Sequence, residues 1–398
     1  MPLDLGRVAA QVNSMVKSLK NGDAEHREHL ATALNTLHKP GRDHAELAAR
    51  IANARTSWLV GKPLEPLDAS HDCPAPPADF SIVATDGSHI DIDRHRTARC
   101  YLINTGRVSL TYGTAPGATL TSVPRLYADE TDMVIHNPAG GHDQVIDANL
   151  LSIIRSIEEW RALVESAAAL PSRNNALALV DGTLIQWGLE SRTYPQFVKD
   201  VLLTRGFLPC LDALRALNTE RHLAVASYIS YPGGTDVVNA LRIALCPGDI
   251  INDEACAKCT TRECEQVDGL RDRHIFAEVL APGERSGLFA SASSILEQYG
   301  EHRVCFFYIN AGEEIGRVEV PQWVAENRDL LALAQALIYD QCRRGQGYPV
   351  ALAEAHEQAV ITTTDRENFW QMVESAMTEQ HISRPGSAKS RSKRTRWL

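Results

Sequence analysis

The chain of 398 residues is 44% hydrophobic and 23% charged, which is typical of a globular protein with a sizeable core. No apolar run reaches the roughly 18–20 residues of a membrane-spanning helix, and the N-terminus lacks the apolar stretch of a secretory signal. We therefore expect a cytoplasmic protein that does not enter membranes. The net charge of -10 argues against a protein that coats nucleic acid non-specifically. It is compatible with an enzyme whose carboxylates hold cations.

The first 60 residues have a helical pattern. Apolar residues recur at helical spacing from Val8 to Leu19, and a second periodic stretch covers residues 44–59. Residues 61–79 are rich in proline and polar residues, which is typical of a linker. We predict a helical arm over 1–60, which either mediates dimerisation or simply packs as a helix pair, followed by a linker over 61–79.

Strands and helices then alternate along the chain. The predicted strands are 80–89, two strands within 98–112 joined by a turn at 104–106, 176–184, 222–229, 304–309 and 317–320. The predicted helices are 147–170, 195–218, 236–245, 325–343 and 349–360. This order predicts an α/β architecture with an antiparallel portion.

The C-terminal segment, 381–398, is strongly basic. It contains Arg384, Lys389, Arg391, Lys393, Arg394 and Arg396 and has no acidic residue. We predict a disordered basic tail, which either is only solvated or binds DNA or a partner.

Two of the predicted strands end in Asp-Gly, at Asp86 and Asp181. In α/β sheets, functional groups gather at the carboxyl ends of strands, and a following glycine leaves room for a ligand or a tight turn. Two neighbouring carboxylates repel unless a cation lies between them, and Mg²⁺ and Mn²⁺ prefer such oxygen ligands. Asp-Gly is also a common turn, so these residues by themselves predict only a metal-binding α/β site.

The strands and the segments around them resemble the NurA nuclease family in order and spacing. The resemblance covers roughly residues 80–362 and depends on the segments VATDGSHI, IIRSIEEW, LALVDGTLIQW, SYISYPGGTDVVNALR and GYPVALAEAHEQAVI. It implies an RNase H-like core over 80–380, a mixed sheet flanked by helices, beside the N-terminal helical arm and with C-terminal helices.

The resemblance also implies an activity and partners. The implied protein is a single-strand DNA endo- or exonuclease that hydrolyses phosphodiester bonds with two Mn²⁺ or Mg²⁺ ions. It would act in DNA end processing with a hexameric HerA-type ATPase, and it would form a homodimer. A non-catalytic RNase H-like adaptor in a translocase or defence complex is the alternative, and an enzyme acting on RNA or on hybrids is a third hypothesis. The complete acidic set favours a nuclease over the adaptor, and cleavage tests on matched DNA, RNA and hybrid substrates would separate the first hypothesis from the third.

Four metal ligands follow from the same resemblance. They are Asp86, Asp181, a glutamate on the helix between them, and His356 on the terminal helix. The Arg-x-x-Glu pattern points to Glu158, with the adjacent Glu159 as the alternative. His356 would bind metal or orient water and the leaving group, although without the surrounding motif it would be assigned a structural role.

Further residues have both a functional and a structural interpretation. Tyr231, with Tyr228 nearby, would stack on a base of single-stranded DNA, or would be a half-buried tyrosine at a strand end. Arg242 would hold a phosphate, or would cap its helix face. Ser88 would hydrogen-bond a metal-binding carboxylate, or would be a turn hydroxyl.

Four of the nine cysteines crowd into 246–264, which we predict to be a cysteine-rich insertion. The odd number and uneven spread argue against a disulfide framework. Cys246, Cys256, Cys259 and Cys264 contain a Cys-x2-Cys pair, a common metal clip, which predicts Zn²⁺ or an iron–sulfur cluster. The spacing matches no standard zinc ribbon, and a polar loop with clustered cysteines is the alternative.

Overall fold

The computed structural model describes residues 4–39, 44–92, 98–172, 174–190 and 194–382. Its α-helices are α1 (Leu5–Leu37), α2 (His44–Asn53), α3 (Ala148–Ala168), α4 (Gln196–Lys199), α5 (Leu208–Asn218), α6 (Asp236–Leu245), α7 (Asp253–Lys258), α8 (Asp272–Val279), α9 (Gln322–Ala325), α10 (Arg328–Arg344), α11 (Val350–Ala359) and α12 (Thr363–Glu379). Its strands are β1 (Lys62–Pro63), β2 (Ser70–His71), β3 (Phe80–Ile90), β4 (Tyr101–Tyr112), β5 (Gly117–Tyr127), β6 (Val134–Ile135), β7 (Gln144–Val145), β8 (Asn175–Asp181), β9 (His222–Ile229), β10 (Arg285–Ser286), β11 (Phe289–Ala290), β12 (Val304–Asn310) and β13 (Ile315–Pro321). Within these ranges, no helix is long and apolar enough to cross a membrane. The basic part of the predicted tail, 383–398, lies outside the described residues.

The chain folds as two compact units. Unit 1 comprises residues 1–73, 229–293 and 303–318, and unit 2 comprises residues 74–228, 294–302 and 319–398. This division differs from the predicted boundaries, because most of the predicted arm and linker packs with unit 1. Leu67, in the middle of the predicted linker, is fully buried in the hydrophobic core of that unit.

Unit 1 is built around helices and short antiparallel strands. Its core combines the C-terminal end of α1 with α2, α6 and α8, and with aromatic residues of β11 and β12. Strand β11 pairs antiparallel with β1 and β12, and β10 pairs with β2 and β12. The first half of α1 carries large apolar residues that stay exposed, among them Leu5 and Leu19.

Unit 2 contains a mixed sheet in the order β9-β8-β3-β4-β5. Strands β3, β8 and β9 are parallel, whereas β4 is antiparallel to both β3 and β5. The prediction of a turn at 104–106 was wrong, because β4 continues without interruption to Tyr112 and the chain reverses before β5. Gly106 instead pairs with Asp86 in the middle of the sheet.

Helices α3 and α11 cover the sheet of unit 2. Thr85 Oγ1 donates to the Glu159 carbonyl oxygen at 3.0 Å, which ties α3 to β3. Asn104 Nδ2 donates to the Ala359 carbonyl oxygen at 2.9 Å, which ties α11 to β4. Asn104 pairs with Ser88 of β3, so Ser88 is on the α11 side of the sheet and Thr85 is on the α3 side. Residues of β3 thus face the two helices alternately, as the pleat of a strand requires.

The helices predicted after 190 are present with altered boundaries. The predicted helix 195–218 consists of α4 and α5 joined by a π-helical stretch, Asp200–Phe207. The predicted helix 325–343 is divided into α9 and α10, and α12 was not predicted. Strands β8, β9 and β12 and helices α3, α6 and α11 lie where the sequence pattern predicted them.

Candidate functional site

Asp86 and Asp181 lie side by side on parallel strands. The register pairs Thr85 of β3 with Val180 of β8, so the two aspartates are the next residues on adjacent strands. Neighbouring strands are about 4.8 Å apart, which places the two carboxyl groups within electrostatic reach. Burial raises the pKa of Asp181, and the negative charge of Asp86 raises it further.

His356 joins Asp86 from α11. Its Nδ1 lies 2.8 Å from Asp86 Oδ2, a hydrogen bond in which the imidazole N–H donates to the carboxylate. The helix approaches the sheet closely because residue 106 is glycine. A β-carbon on Gly106 would lie 2.7 Å from the Ala359 backbone nitrogen, so a larger residue would push α11 away.

A tight turn between α10 and α11 adds Tyr348. Gln346 (φ 55°) and Gly347 (φ 105°) are both left-handed, and the Gly347 N–H donates to the Cys342 carbonyl oxygen at 2.8 Å. The Tyr348 hydroxyl hydrogen-bonds Asp181 and counteracts the rise in its pKa. The Gly-Tyr-Pro motif marks this turn in the sequence, but the motif alone assigns no role to Tyr348.

Buried contacts hold the loop after Asp181 in place. Gly182 is left-handed (φ 86°), and its N–H donates to the Tyr228 carbonyl oxygen at 2.9 Å. Buried Glu319 accepts from Thr183 Oγ1 at 2.7 Å and from the Leu184 N–H at 2.9 Å. No sequence motif marks Glu319, which is distant along the chain from the loop that it fixes.

The structure brings Glu159, rather than Glu158, to the aspartates. The Glu159 side chain is only 12% exposed, and its Oε1 lies 3.1 Å from Arg155 Nε. Burial raises the pKa of Glu159 to about 8, with Arg155 opposing the rise and the charges of Asp86 and Asp181 adding to it. Glu159 is therefore the helical carboxylate that interacts with both aspartates. Asp181 ends β8 as predicted, but Asp86 lies within β3, which continues to Ile90, so the predicted strand end at this Asp-Gly was wrong.

Gly87 is what allows this approach. A β-carbon on Gly87 would lie 2.9 Å from Glu159 Cγ and 3.0 Å from Arg155 Cγ. Asp86 and Gly87 face opposite sides of the sheet because they are successive residues of one strand. The missing side chain at Gly87 leaves the space through which Glu159 approaches the aspartates from the α3 side.

Glu158, the glutamate that we expected, lies apart from this group. Its Oε1 accepts from Arg161 Nη1 at 2.6 Å, and its Oε2 lies 3.9 Å from Arg125 Nη1. Each residue of a helix is rotated by about 100° from the one before it, so adjacent glutamates face different surroundings. The Arg155 ion pair forms with Glu159 at i,i+4, not at the i,i+3 spacing of the Arg-x-x-Glu pattern.

The aspartates line a cavity of about 350 Å³. Its other lining residues include Tyr348, Glu354, His356 and Glu357, so most of the ionisable groups of the cavity are acidic. The negative charge of Asp86 raises the pKa of both Asp181 and Glu159, and carboxylates held this close to one another suit a hard divalent cation. In their present positions, however, no three His, Cys, Asp or Glu side chains of the described residues are spaced to hold an ion. Ligation of a cation would therefore require these side chains to move.

The raised pKa of Glu159 predicts a pH-dependent stability of the metal-free protein. The folded state keeps the Glu159 proton up to about pH 8, whereas an unfolded glutamate loses it near its ordinary pKa of 4.5. The stability that protonated Glu159 contributes is thus complete below pH 4.5 and is lost as the pH rises towards 8. In EDTA, the melting temperature of Glu159→Gln should decline less than that of wild type over this range. Glu158→Gln should retain the wild-type slope, and identical slopes in all three proteins would contradict the assignment.

The other predicted residues lie in other surroundings. Tyr231, in unit 1, is left-handed (φ 45°) and exposed, with the Arg273 guanidinium carbon 3.9 Å from its ring centre. Arg242 stacks over the Trp58 ring at 4.8 Å. Tyr228 is fully buried and packs edge-on against Tyr348. Contact with nucleic acid remains a prediction for Tyr231 and Arg242.

Comparisons with known proteins agree with this architecture. The NurA domain family model matches residues 80–361. Among solved structures, the NurA nuclease from Sulfolobus solfataricus aligns over 97% of this chain and 100% of its own, with 12% identity and a TM-score of 0.53. LC9-RNase H1, a type 1 RNase H with the type 2 active-site motif, aligns over 43% of this chain and 71% of its own, with 14% identity and a TM-score of 0.22. A search of curated proteins found no significant match. The predicted fold class is confirmed as a mixed sheet flanked by helices, like that of the NurA nuclease structure.

Proposed function

The chain belongs to the NurA family, and from this premise we propose that it is a nuclease that hydrolyses DNA phosphodiester bonds with two divalent cations. One observation carries the proposal. Asp86 and Asp181 line an open cavity at the carboxyl edge of parallel strands, and Glu159 of α3 lies close enough for the charges of both aspartates to act on it, all within the region that the family model matches. Functional groups of α/β sheets gather at this edge.

We propose that Asp86, Asp181 and Glu159 hold Mn²⁺ or Mg²⁺, which when bound would activate water and stabilise the leaving oxygen. The Tyr348 hydroxyl would orient the Asp181 carboxylate through its hydrogen bond. Since Nδ1 of His356 is engaged by Asp86, its Nε2 is the atom that could bind a cation when the ring is neutral, or donate to a phosphate oxygen or the leaving group when the ring is protonated. His356 would thus act as a ligand or as a proton donor from the cavity wall.

The acidic cavity makes metal dependence a sharp test of this proposal. Without cations, the carboxylates repel a polyanionic substrate, so metal-free protein should not cleave DNA. Added Mn²⁺ or Mg²⁺ should start cleavage of single-stranded DNA, and EDTA should stop it. Matched RNA and DNA–RNA hybrids would show whether the substrate is DNA. Binding of DNA without cleavage under any metal would favour the adaptor hypothesis instead.

Two variants test which glutamate takes part. Glu159→Gln replaces the carboxyl group next to the aspartates with an amide, whereas Glu158→Gln makes the same change on the residue that pairs with Arg161. We expect Glu159→Gln to lose Mn²⁺-dependent cleavage and Glu158→Gln to retain it. If Glu159→Gln retains cleavage and Glu158→Gln loses it, Glu158 would be the metal-binding glutamate.

From the family we further propose a homodimer that docks onto a HerA-type hexameric ATPase during DNA end processing, in the cytoplasm. The exposed apolar residues Leu5, Val12, Met15, Val16 and Leu19, all in the first half of α1, support an association surface. Light scattering should give about twice the chain mass of 43.7 kDa. Leu19→Asp should shift the protein towards monomer, and Met372→Asp, which changes an exposed apolar residue of α12, should not. A wild-type monomer at micromolar concentration would refute the dimer.

A further inference from the structure

The cysteine-rich segment 246–264 has little apolar support. Every residue of the segment is described, and among them only Ile251 is buried. Helix α7, in its middle, has no buried residue at all. A segment that buries so little apolar surface needs another source of stability if it is to keep one conformation.

Polar contacts nevertheless hold the first part of the segment in place. Arg50 Nη2 donates to the Cys246 carbonyl oxygen at 2.6 Å. Asn252 caps α7 by accepting from the Ala255 N–H at 2.7 Å, and the Ser57 N–H donates to Asp253 Oδ1 at 3.0 Å. Hydrogen bonds to other residues of unit 1 therefore hold the part of the loop that begins at Cys246 and leads into α7.

The four thiols of the segment are neighbours. All of them are free cysteines. Cys256 lies close enough to Cys246, Cys264 and Cys259 for each of these thiols to act on it electrostatically. Cysteines from both ends of the segment thus lie around Cys256, although not at the spacing of metal ligands.

A separate feature prepares Cys259 to act as a thiolate. Its Sγ lies 3.4 Å from Thr261 Oγ1 and accepts from the backbone N–H groups of Thr261 and Arg262. Arg262 is left-handed (φ 48°), which turns successive N–H groups towards the sulfur. Donors aimed at a sulfur favour its deprotonated form, which is the form that binds metal.

We propose that Cys246, Cys256, Cys259 and Cys264 bind one Zn²⁺ as a four-thiolate structural site, separate from the carboxylate centre. Zn²⁺ displaces one proton from each of the four thiols, and its tetrahedral preference matches four sulfur ligands. The ion takes the place of the apolar core that the segment lacks. In their described positions, no three of these thiols are spaced to hold an ion, so binding draws them together and orders the segment.

Metal loading of the full chain tests this site without reference to nuclease activity. Protein stripped with a chelator should take up one Zn²⁺ per chain, and Zn²⁺ should make four thiols unreactive towards a thiol reagent. Co²⁺ as a probe should give the visible and near-ultraviolet bands of tetrahedral thiolate coordination. Zn²⁺ should also protect the segment from limited proteolysis.

Variants locate the ion. Cys256→Ser and Cys259→Ser should lose the cobalt–thiolate bands, and Cys73→Ser, which changes a cysteine outside the segment, should keep them. Asp86→Asn should also keep them, because the carboxylate centre is separate. The proposal is overturned if wild type shows neither the bands nor thiol protection, or if both serine variants keep the bands. Iron with a brown colour in the purified protein would overturn the assignment to Zn²⁺.

Discussion

Replacing Asp86 by Asn should lower the rate of Mn²⁺-dependent DNA cleavage by at least about 100-fold. Residues that merely support a metal ligand cost about 10–100-fold when lost, so removal of a ligand should cost at least as much. Asp86 contacts His356 directly and adjoins Asp181, so this change removes the charge at the centre of the group. The measurement is the initial rate on single-stranded DNA at saturating Mn²⁺.

The stability of the same variant excludes unfolding as the cause. Asp86→Asn removes repulsion among Asp86, Asp181 and Glu159, so the metal-free variant should melt no lower than wild type. Glu158→Gln is the matched control, since it is also a carboxylate-to-amide change but lies outside the group. An Asp86→Asn protein that is folded and cleaves at the wild-type rate would refute the proposed centre.

Replacing Gly106 by Ala should destabilise unit 2 and impair cleavage at the same time. The added β-carbon would lie 2.7 Å from the Ala359 nitrogen and 2.9 Å from Gln358 Cβ. A backbone nitrogen cannot rotate away, so α11 must shift, and His356 must shift with it. Overpacking of this kind costs about 1–3 kcal/mol, which a urea unfolding curve measures.

Gly117→Ala is the control for this prediction. Gly117 belongs to the same sheet, on β5, and a β-carbon there would meet no atom within 4 Å. It should therefore leave both stability and cleavage close to wild type. Equal unfolding free energies for the Gly106 and Gly117 variants would mean that α11 does not depend on the missing side chain at Gly106.

Elements with strong periodic patterns could be predicted from the sequence, and exposed ones could not. Helix α3 buries one regular face and β8 is almost continuously buried, so both have clear patterns. Strand β5 is exposed along its length until Tyr127, and no alternation of apolar residues marks it. Gly106 was predicted to be a turn residue, but its missing side chain allows α11 to pack closely against β4.

The parts of the candidate site that lie in local sequence motifs could be predicted from the sequence. The two Asp-Gly pairs and the helix bearing His356 identified three residues that line one cavity. The choice between Glu158 and Glu159 depends on the rotation of α3, which is set by the packing of Trp160 and by the bond from Thr85. Neither contact has a signal in a single sequence.

A crystal structure with Mn²⁺, with the ions located by anomalous scattering, tests the proposed metal centre most directly. We expect Mn²⁺ within about 2.0–2.6 Å of carboxylate oxygens of Asp86, Asp181 and Glu159, the range typical of hard divalent cations. Glu158 should remain with Arg161 and take no part. Anomalous peaks elsewhere, or none at this cavity in protein that cleaves DNA with Mn²⁺, would contradict a centre built on these three carboxylates.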